Sequence, residues 1–311
     1  MAVAAIIVIT QYLGKQREEE LQPADISVWF SVAEGSSEEE AMNMVVSDFI
    51  GEYPNVTIDL KAIPEAEYAE EIAKAHAEGA LPDLFESSGL PESVLQDARD
   101  AKDILDTIQA SDCLFLNQYT HYYKEYKQIP LGIEVPLAYV ITNGASFVEY
   151  DKEFFSDPAD FGDIGDQISV DDLHNAVIQA NFPDLTAGKS KKDFMDNTEN
   201  SSPVMLSTTM SLNEVRSTLT NYEKSFVYYD SSKIKCGFVY EWSLGAGSKN
   251  EEKAGERLLA WMLGNSYQSF LMITEANDGQ IPLNEICFRS KIESKYLNSI
   301  ESIYKKFVFE R

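Results

Sequence analysis

The chain has 311 residues, 44% hydrophobic and 25% charged, enough for a large core and more readily two lobes than one. Fifty-two acidic residues against 25 Lys and Arg give a net charge of −27, which repels nucleic acid and anionic lipid and leaves no polyanion among the expected partners. Cys113, Cys236 and Cys287 form no CxxC pair, and His76, His121 and His174 have no ligand spacing, so neither a metal nor another cofactor is expected.

Residues 1–22 hold an apolar run, "AVAAIIVIT…YL", and the polar stalk that follows it as "GKQREEELQPAD". The run is shorter than the ~20 residues of a membrane span. It reads as the outer half of a membrane anchor, an imperfect signal or a buried strand. The anchor reading suits a stalk-like spacer. From residue 26 to 137 one pattern repeats: an apolar strand, a Ser/Gly turn, an amphipathic helix. "ISVWF" (26–30), "VTIDL" (56–60) and "LPDLFES" (81–87) are the strands. Strands alternating with helices argue for a parallel sheet, whose ligands sit at the strands' carboxyl ends.

The first helix carries a capping box, Ser37 with Glu40, and a buried stripe of Ala41, Met42, Val45, Val46 and Phe49. The second starts near Pro64, buries Tyr68, Ile72 and Ala75, and ends at Gly79. Short helices are expected at 92–98 and 102–108, then the aromatic helix "NQYTHYYKEY". "IPLGIEVPLAYVITN" (129–143) is a long strand broken by Pro136, where a missing N–H marks a crossing between sheets. "VDDLHNAVIQA" is a helix capped by Ser169, and Ser211 with Glu214 opens "SLNEVRSTL". "SFVYYD" and "KIKCGFVYEW" are strands, "NEEKAGERLLAWMLGN" and "SYQSFLMITEAN" are helices, and 294–307 is a terminal helix.

Four of these stretches, in this order, resemble the sugar-binding family of extracellular solute-binding proteins that serve ABC importers, the maltose-binding-protein-like family. They are "ISVWFSVAEG…FIGEYPNVTIDL", "AHAEGALPDLFESSG", "IPLGIEVPLAYVITN" and "EEKAGERLLAWMLGNSYQSFLMITEANDGQIPLNE". The resemblance implies an α/β, two-lobe periplasmic-binding-protein-like fold of type II. Each lobe is then a mixed, mostly parallel sheet flanked by helices, and hinge strands join the two. On this reading residues 23–135 with 242–282 form lobe 1, and 136–241 with 283–311 form lobe 2. The implied function is extracytoplasmic, at the cell surface or membrane-anchored: capture of a small polar solute, a sugar or oligosaccharide, for an ABC permease. The alternative is a membrane-anchored sensor ectodomain read by a signalling partner. The sequence departs from the family at 143–203, which is short and acidic.

Polar sugars are held by aromatic faces and by carboxylate, amide and hydroxyl hydrogen bonds. Three strand-end loops offer these groups. Residues 31–37 supply Ser31 and Glu34, "SSG" supplies Ser87 and Ser88, and "VYEWSLG" supplies Tyr240, Glu241 and Trp242. Trp242 is the expected stacking platform. In "LSTTMS", Ser207, Thr208 and Thr209 either face the ligand or cap the following helix. The chain has no GxSxG, HExxH, P-loop or GxGxxG fingerprint, and an enzyme is not expected.

Overall fold

The computed structural model describes residues 21–33, 38–101, 104, 127–141, 168–185, 188–196, 202–226, 233–264, 268, 281–290 and 303–309. The N-terminal run, Glu34, the Ser37 cap, the aromatic helix and all of "SYQSFLMITEAN" except Gln268 lie outside these residues. Among the described residues no helix is long and apolar enough to cross a membrane.

Strict alternation makes the first strand. In β1 (Ala24–Val32) Ile26, Val28 and Phe30 are buried while Asp25 faces solvent. Helix α1 (Glu38–Glu52) puts three glutamates in its first turn, where the helix dipole favours them, and buries the expected Ala41, Met42, Val45, Val46 and Phe49. Strand β2 (Val56–Pro64) lies parallel to β1 along its whole length. Pro64 is the cap of α2 (Glu65–Ala77), which buries Tyr68, Ile72 and Ala75. The helix stops in a Schellman turn. Gly79, at φ +66°, donates its N–H to the His76 carbonyl at 3.0 Å, and Ala80 donates to Ala75 at 2.8 Å. Strand β3 (Leu84–Glu86) pairs parallel with β1 on its other side, and α3 (Glu92–Asp97) follows. Asp83 locks this unit: one carboxylate oxygen accepts both the N–H and the hydroxyl of Ser27, each at 2.8 Å.

The chain then crosses. Strand β4 (Ile129–Glu134) belongs to the first sheet, and after Val135 strand β5 (Pro136–Ile141) belongs to the second. The second sheet also holds β6 (Ile168–Val170), β7 (Lys189–Ser190), β8 (Val204–Thr208) and β9 (Tyr222–Phe226), in the order β7-β6-β8-β5-β9. Helix α4 (Asn175–Asn181) covers one face, packing its Ile178 with Ala138, Ile168 and Leu206. Helices α5 (Lys191–Met195) and α6 (Leu212–Thr218) cover the other, packing Phe194, Leu212 and Val215 with Leu137, Tyr139 and Met205. The chain returns to the first sheet as β10 (Ile234–Leu244), joined there by β11 (Ile281–Pro282) and β12 (Phe307–Phe309). The first sheet runs β11-β4-β10-β3-β1-β2, with β12 paired to β10. Helix α7 (Lys249–Met262) packs Ala254, Leu258, Leu259 and Met262 into its core, and α8 (Glu285–Ser290) follows β11.

The two-lobe α/β fold is thus present. Both sheets are mixed, as expected: β1, β2 and β3 run parallel, as do β6, β7 and β8, while β10 enters antiparallel to β3 and β4, and β5 antiparallel to β8 and β9. Several details differ from the sequence reading. The return to the first sheet comes at Ile234, ahead of the expected boundary at Trp242, and β12 pairs in that sheet rather than in the second lobe. Ser169 lies inside β6, and Asp171 caps the turn after it by accepting the Leu173 N–H. Ser211 stands at the cap of α6, but its hydroxyl bonds Asp171 instead of the helix. Residues 294–302 of the expected terminal helix lie outside the described residues; Tyr304–Lys306 is a single 3-10 turn, and Phe307 opens a strand. A capping box that the sequence reading missed, Ser248 with Glu251, opens α7.

Polar groups fasten the second lobe to the crossing. Glu134 accepts the Thr208 hydroxyl at 2.6 Å and meets His174 Nδ1 at 2.7 Å. Thr209 donates its N–H to the Val135 carbonyl at 2.9 Å. At the return strand, Asn181 of α4 behaves like a strand neighbour. Its amide oxygen accepts the Lys235 N–H at 3.0 Å and its amide nitrogen donates to the Lys235 carbonyl at 2.7 Å. Because Asn181 is 3% exposed, Asn181→Ala leaves both backbone groups without that partner. The expected cost is about 2–3 kcal/mol, read as a lower urea midpoint with an unchanged denaturant slope.

Candidate functional site

The carboxyl ends of β1 and β3 come together because the two strands are parallel neighbours. Ser31, expected in a loop, is instead in the last turn of pleat of β1. Its N–H and hydroxyl both donate to one carboxylate oxygen of Glu86, at 2.9 and 2.7 Å. Glu86 ends β3, and its carbonyl accepts the Tyr68 hydroxyl at 2.6 Å. Burial is the largest influence on Glu86. It outweighs the two Ser31 bonds, is reinforced by Glu38 and Glu65, and pushes the carboxyl up to about 7. The Tyr68 phenol is raised too, mainly by burial.

Beyond Glu86 the chain turns through Ser87, Ser88 and Gly89. Gly89 has φ +69°, the left-handed conformation that favours glycine. Ser87 is buried and Ser88 exposed. Strand β10 runs antiparallel alongside, so Glu241 docks on this turn. Ser87 donates its N–H to the Glu241 carbonyl at 2.6 Å, and Glu241 donates its N–H to the Ser88 hydroxyl at 2.9 Å. The Gln128 amide nitrogen lies 2.9 Å from the Glu241 carboxylate and 3.0 Å from the Ser87 carbonyl. Tyr240 is partly exposed beside this knot.

Trp242, the expected stacking residue, is 3% exposed and belongs to the core of the first sheet. Its strand position opposite Ile129 and Glu86 places it two residues beyond Tyr240, where β10 is fully covered. The structure therefore joins Ser31, Ser87, Ser88, Tyr240 and Glu241 at one set of strand ends and leaves the tryptophan ring in the interior.

The second-lobe hydroxyls are buried and engaged internally. Ser207 and Ser211 both donate to Asp171, at 3.1 and 2.7 Å, and Lys191 pairs with the same oxygen at 3.0 Å and with Glu214. Burial alone would raise Asp171, but Ser211 and the Lys191 ammonium carry it below its ordinary value. Thr208 accepts the Met210 N–H at 3.3 Å, a cap, while donating to Glu134. Thr209 accepts the Val135 N–H at 3.3 Å. Ser207, Thr208 and Thr209 thus brace the crossing and the strand ends of their own lobe.

Sequence reading missed Glu86, Gln128 and the Asp171–Lys191 pair. The only signal for Glu86 was its place between an apolar strand and a double serine. Gln128 stands just before a strand and carries no local signal. Among the described residues no group of three His, Cys, Asp or Glu side chains could hold a metal ion. Cys236 and Cys287 are buried, and burial with the Glu134 charge holds the Cys236 thiol well above its ordinary range.

The raised Glu86 carboxyl has a consequence for stability. Between about pH 4.5 and about 7 the folded chain keeps a proton that the unfolded chain has lost, so stability falls as pH rises through that window. In Glu86→Gln this component disappears. The variant is expected to gain on the wild type by up to about 3 kcal/mol between pH 5 and pH 8, measured by urea unfolding at both values; parallel curves would contradict the assignment.

No family model matches the chain, and no curated protein matches its sequence. Solved structures do match its fold. An ABC substrate-binding protein from Listeria monocytogenes, Lmo0181 in complex with cycloalternan, superposes with a TM-score of 0.63 at 10% identity, over 93% of this chain and 89% of that one. UgpB from Mycobacterium tuberculosis, in complex with glycerophosphocholine, gives 0.63 at 11% identity over 93% and 88%. Maltose-bound MalE3 of T. maritima gives 0.59 at 11% identity over 93% and 90%. The chain has the two-lobe fold of the ABC solute-binding proteins.

Proposed function

We propose that this protein is an extracytoplasmic solute-binding protein that closes its lobes on a carbohydrate and presents it to an ABC importer. The observation that carries this reading is a fold shared over 93% of the chain with proteins whose structures hold cycloalternan or maltose. Acidic composition and the lack of catalytic fingerprints agree with binding rather than turnover. In such a protein, ligand touching both lobes stabilises the closed form by its differential affinity for that form.

The polar groups at the first lobe's strand ends favour a hydroxyl-rich, uncharged solute over an anion. Glu86, Ser31 and Ser88, which are not fully buried, carry oxygen lone pairs that suit hydroxyl donors. The nearby cations are engaged elsewhere. Lys61 pairs with Glu71 and lies over the Trp29 ring, Lys127 donates to the Gln96 and Ala98 carbonyls, and Arg99 pairs with Glu252 and Glu256. Tyr240, partly exposed, takes the stacking role that Trp242 cannot fill from the core.

A thermal-shift panel of maltose, maltotriose, acarbose and glycerophosphocholine tests this reading. A neutral sugar at 100 times its Kd adds about 2.7 kcal/mol, a rise of several degrees, and small-angle scattering shows a smaller radius with it. A panel in which no sugar moves the melting point would sink the carbohydrate reading. Two variants separate the aromatics. Trp242→Ala is expected to lose about 3–5 kcal/mol of stability. Tyr240→Ala keeps stability within about 1 kcal/mol but weakens the bound sugar at least about tenfold, roughly 1.4 kcal/mol.

A further inference from the structure

Two non-glycine residues, Lys127 at φ +52° and Tyr240 at φ +53°, hold left-handed backbone conformations. For residues with a Cβ this conformation costs on the order of 1–2 kcal/mol and persists only where the surroundings impose it. Both residues border the same buried knot. Lys127 precedes Gln128, and Tyr240 precedes Glu241. The Lys127 side chain is tied to the carbonyls of Gln96 and Ala98 at 2.6 and 2.7 Å, and its own carbonyl accepts the Ser243 hydroxyl at 3.0 Å. Gln128 is 0% exposed, and its amide nitrogen reaches the Glu241 carboxylate, the Ser87 carbonyl and the Ser87 hydroxyl at 2.9, 3.0 and 3.4 Å. Glu241, 7% exposed, is fixed on both its backbone groups, its N–H by Ser88 and its carbonyl by Ser87.

We propose that Gln128 is the positioning residue of the first lobe's ligand face: its amide clamps the Ser87–Ser88 turn to Glu241 and so holds Tyr240 in its left-handed conformation beside that turn. This rests on the carbohydrate reading above for the identity of the ligand, not for the backbone geometry. The clamp adds a buried side-chain bridge to the two hydrogen bonds, Ser87 N–H to the Glu241 carbonyl and Glu241 N–H to the Ser88 hydroxyl, by which the turn already meets β10. Remove it and the buried Glu241 carboxylate loses a charge-assisted donor, the Ser87 carbonyl loses its side-chain partner, and the backbone at Tyr240 relaxes to the extended conformation of its neighbours in β10. Gln128 does not touch the solute. It sets where Tyr240 and the Ser88 hydroxyl stand before the solute arrives, which lowers the ordering cost of binding.

The test uses the full chain labelled with 13C-tyrosine and the variant Gln128→Met, which conserves volume and removes the donor. The Tyr240 Cα and Cβ shifts, assigned by their loss in Tyr240→Phe, report its φ without any ligand. They are expected in the left-handed range in the wild type and in the extended range in Gln128→Met. Shifts that stay left-handed in the variant would overturn the proposal. If Gln128→Met does not fold, Glu241→Met removes the carboxylate that the Gln128 amide reaches and is read the same way. For a sugar found by the thermal panel, Gln128→Met is expected to bind at least about tenfold weaker with the glutamine's own contribution to melting accounted for by a ligand-free scan. Unchanged affinity would also overturn the positioning role. A panel with no binding sugar refutes the carbohydrate reading, while the ligand-free shifts still decide the role of Gln128.

Discussion

The passage of the chain from one sheet to the other at Val135 constrains everything else. Ile129, Leu131 and Ile133 are fully buried in the first sheet, and Leu137, Ala138 and Tyr139 in the second, so one extended run anchors two cores. A strand shared in this way cannot slip by a single residue. With side chains alternating at a period of two, a slip would exchange the two buried faces, setting Pro130, Gly132 and Glu134 where Ile129, Leu131 and Ile133 pack, and the small Ala138 where Leu137 and Tyr139 pack. Pro136 suits the join, since at the first position of a strand its missing N–H takes no bond from the ladder. The return strand β10 is held from both sides, by β4 and β3 in the first sheet and by Asn181 of the second lobe.

The polar groups at these crossings explain how so acidic a chain buries carboxylates. Glu134, Asp171 and Glu241 are each 8% exposed or less. Their donors are mostly neutral: Thr208 for Glu134, Ser207 and Ser211 for Asp171, Gln128 for Glu241. With 25 basic residues for 52 acidic ones, hydroxyls and amides are the more available partners. A carboxylate held by neutral donors keeps more of its desolvation cost than one paired with arginine. Glu86, with only Ser31 as donor among the described residues, shows this directly, whereas Asp171, with Lys191 added, moves the other way.

The sequence revealed the elements whose signals are local. The stripe from Ala41 to Phe49, the Gly79 stop and the break at Pro136 each follow from spacing or from one residue's backbone. The misreadings were of residues with more than one use. Ser211 has the spacing of a capping box, yet Asp171 competes for its hydroxyl and wins because Asp171 is buried and charged. Trp242 sits in a polar-looking stretch, "YEWSLG", but the left-handed residue two positions earlier lies at the boundary between the partly exposed and fully buried parts of β10. Gln128 and Glu86 were illegible because their roles depend on contacts across 113 and 55 positions of sequence.

Identities of 10–11% with TM-scores near 0.6 are what such a division of labour produces. The fold requires only apolar alternation in the strands, stripes on the helices, a few stops and one run able to serve two sheets. Many sequences meet those demands with different residues at nearly every position. Ligand chemistry is not among the demands, and the matched structures hold ligands as unlike as cycloalternan and glycerophosphocholine. What distinguishes this chain is therefore the set of polar groups at its strand ends. There the acceptors outnumber the unengaged cations among the described residues, and the one partly exposed aromatic of the knot, Tyr240, is fixed by a bridge that no local pattern in the chain requires.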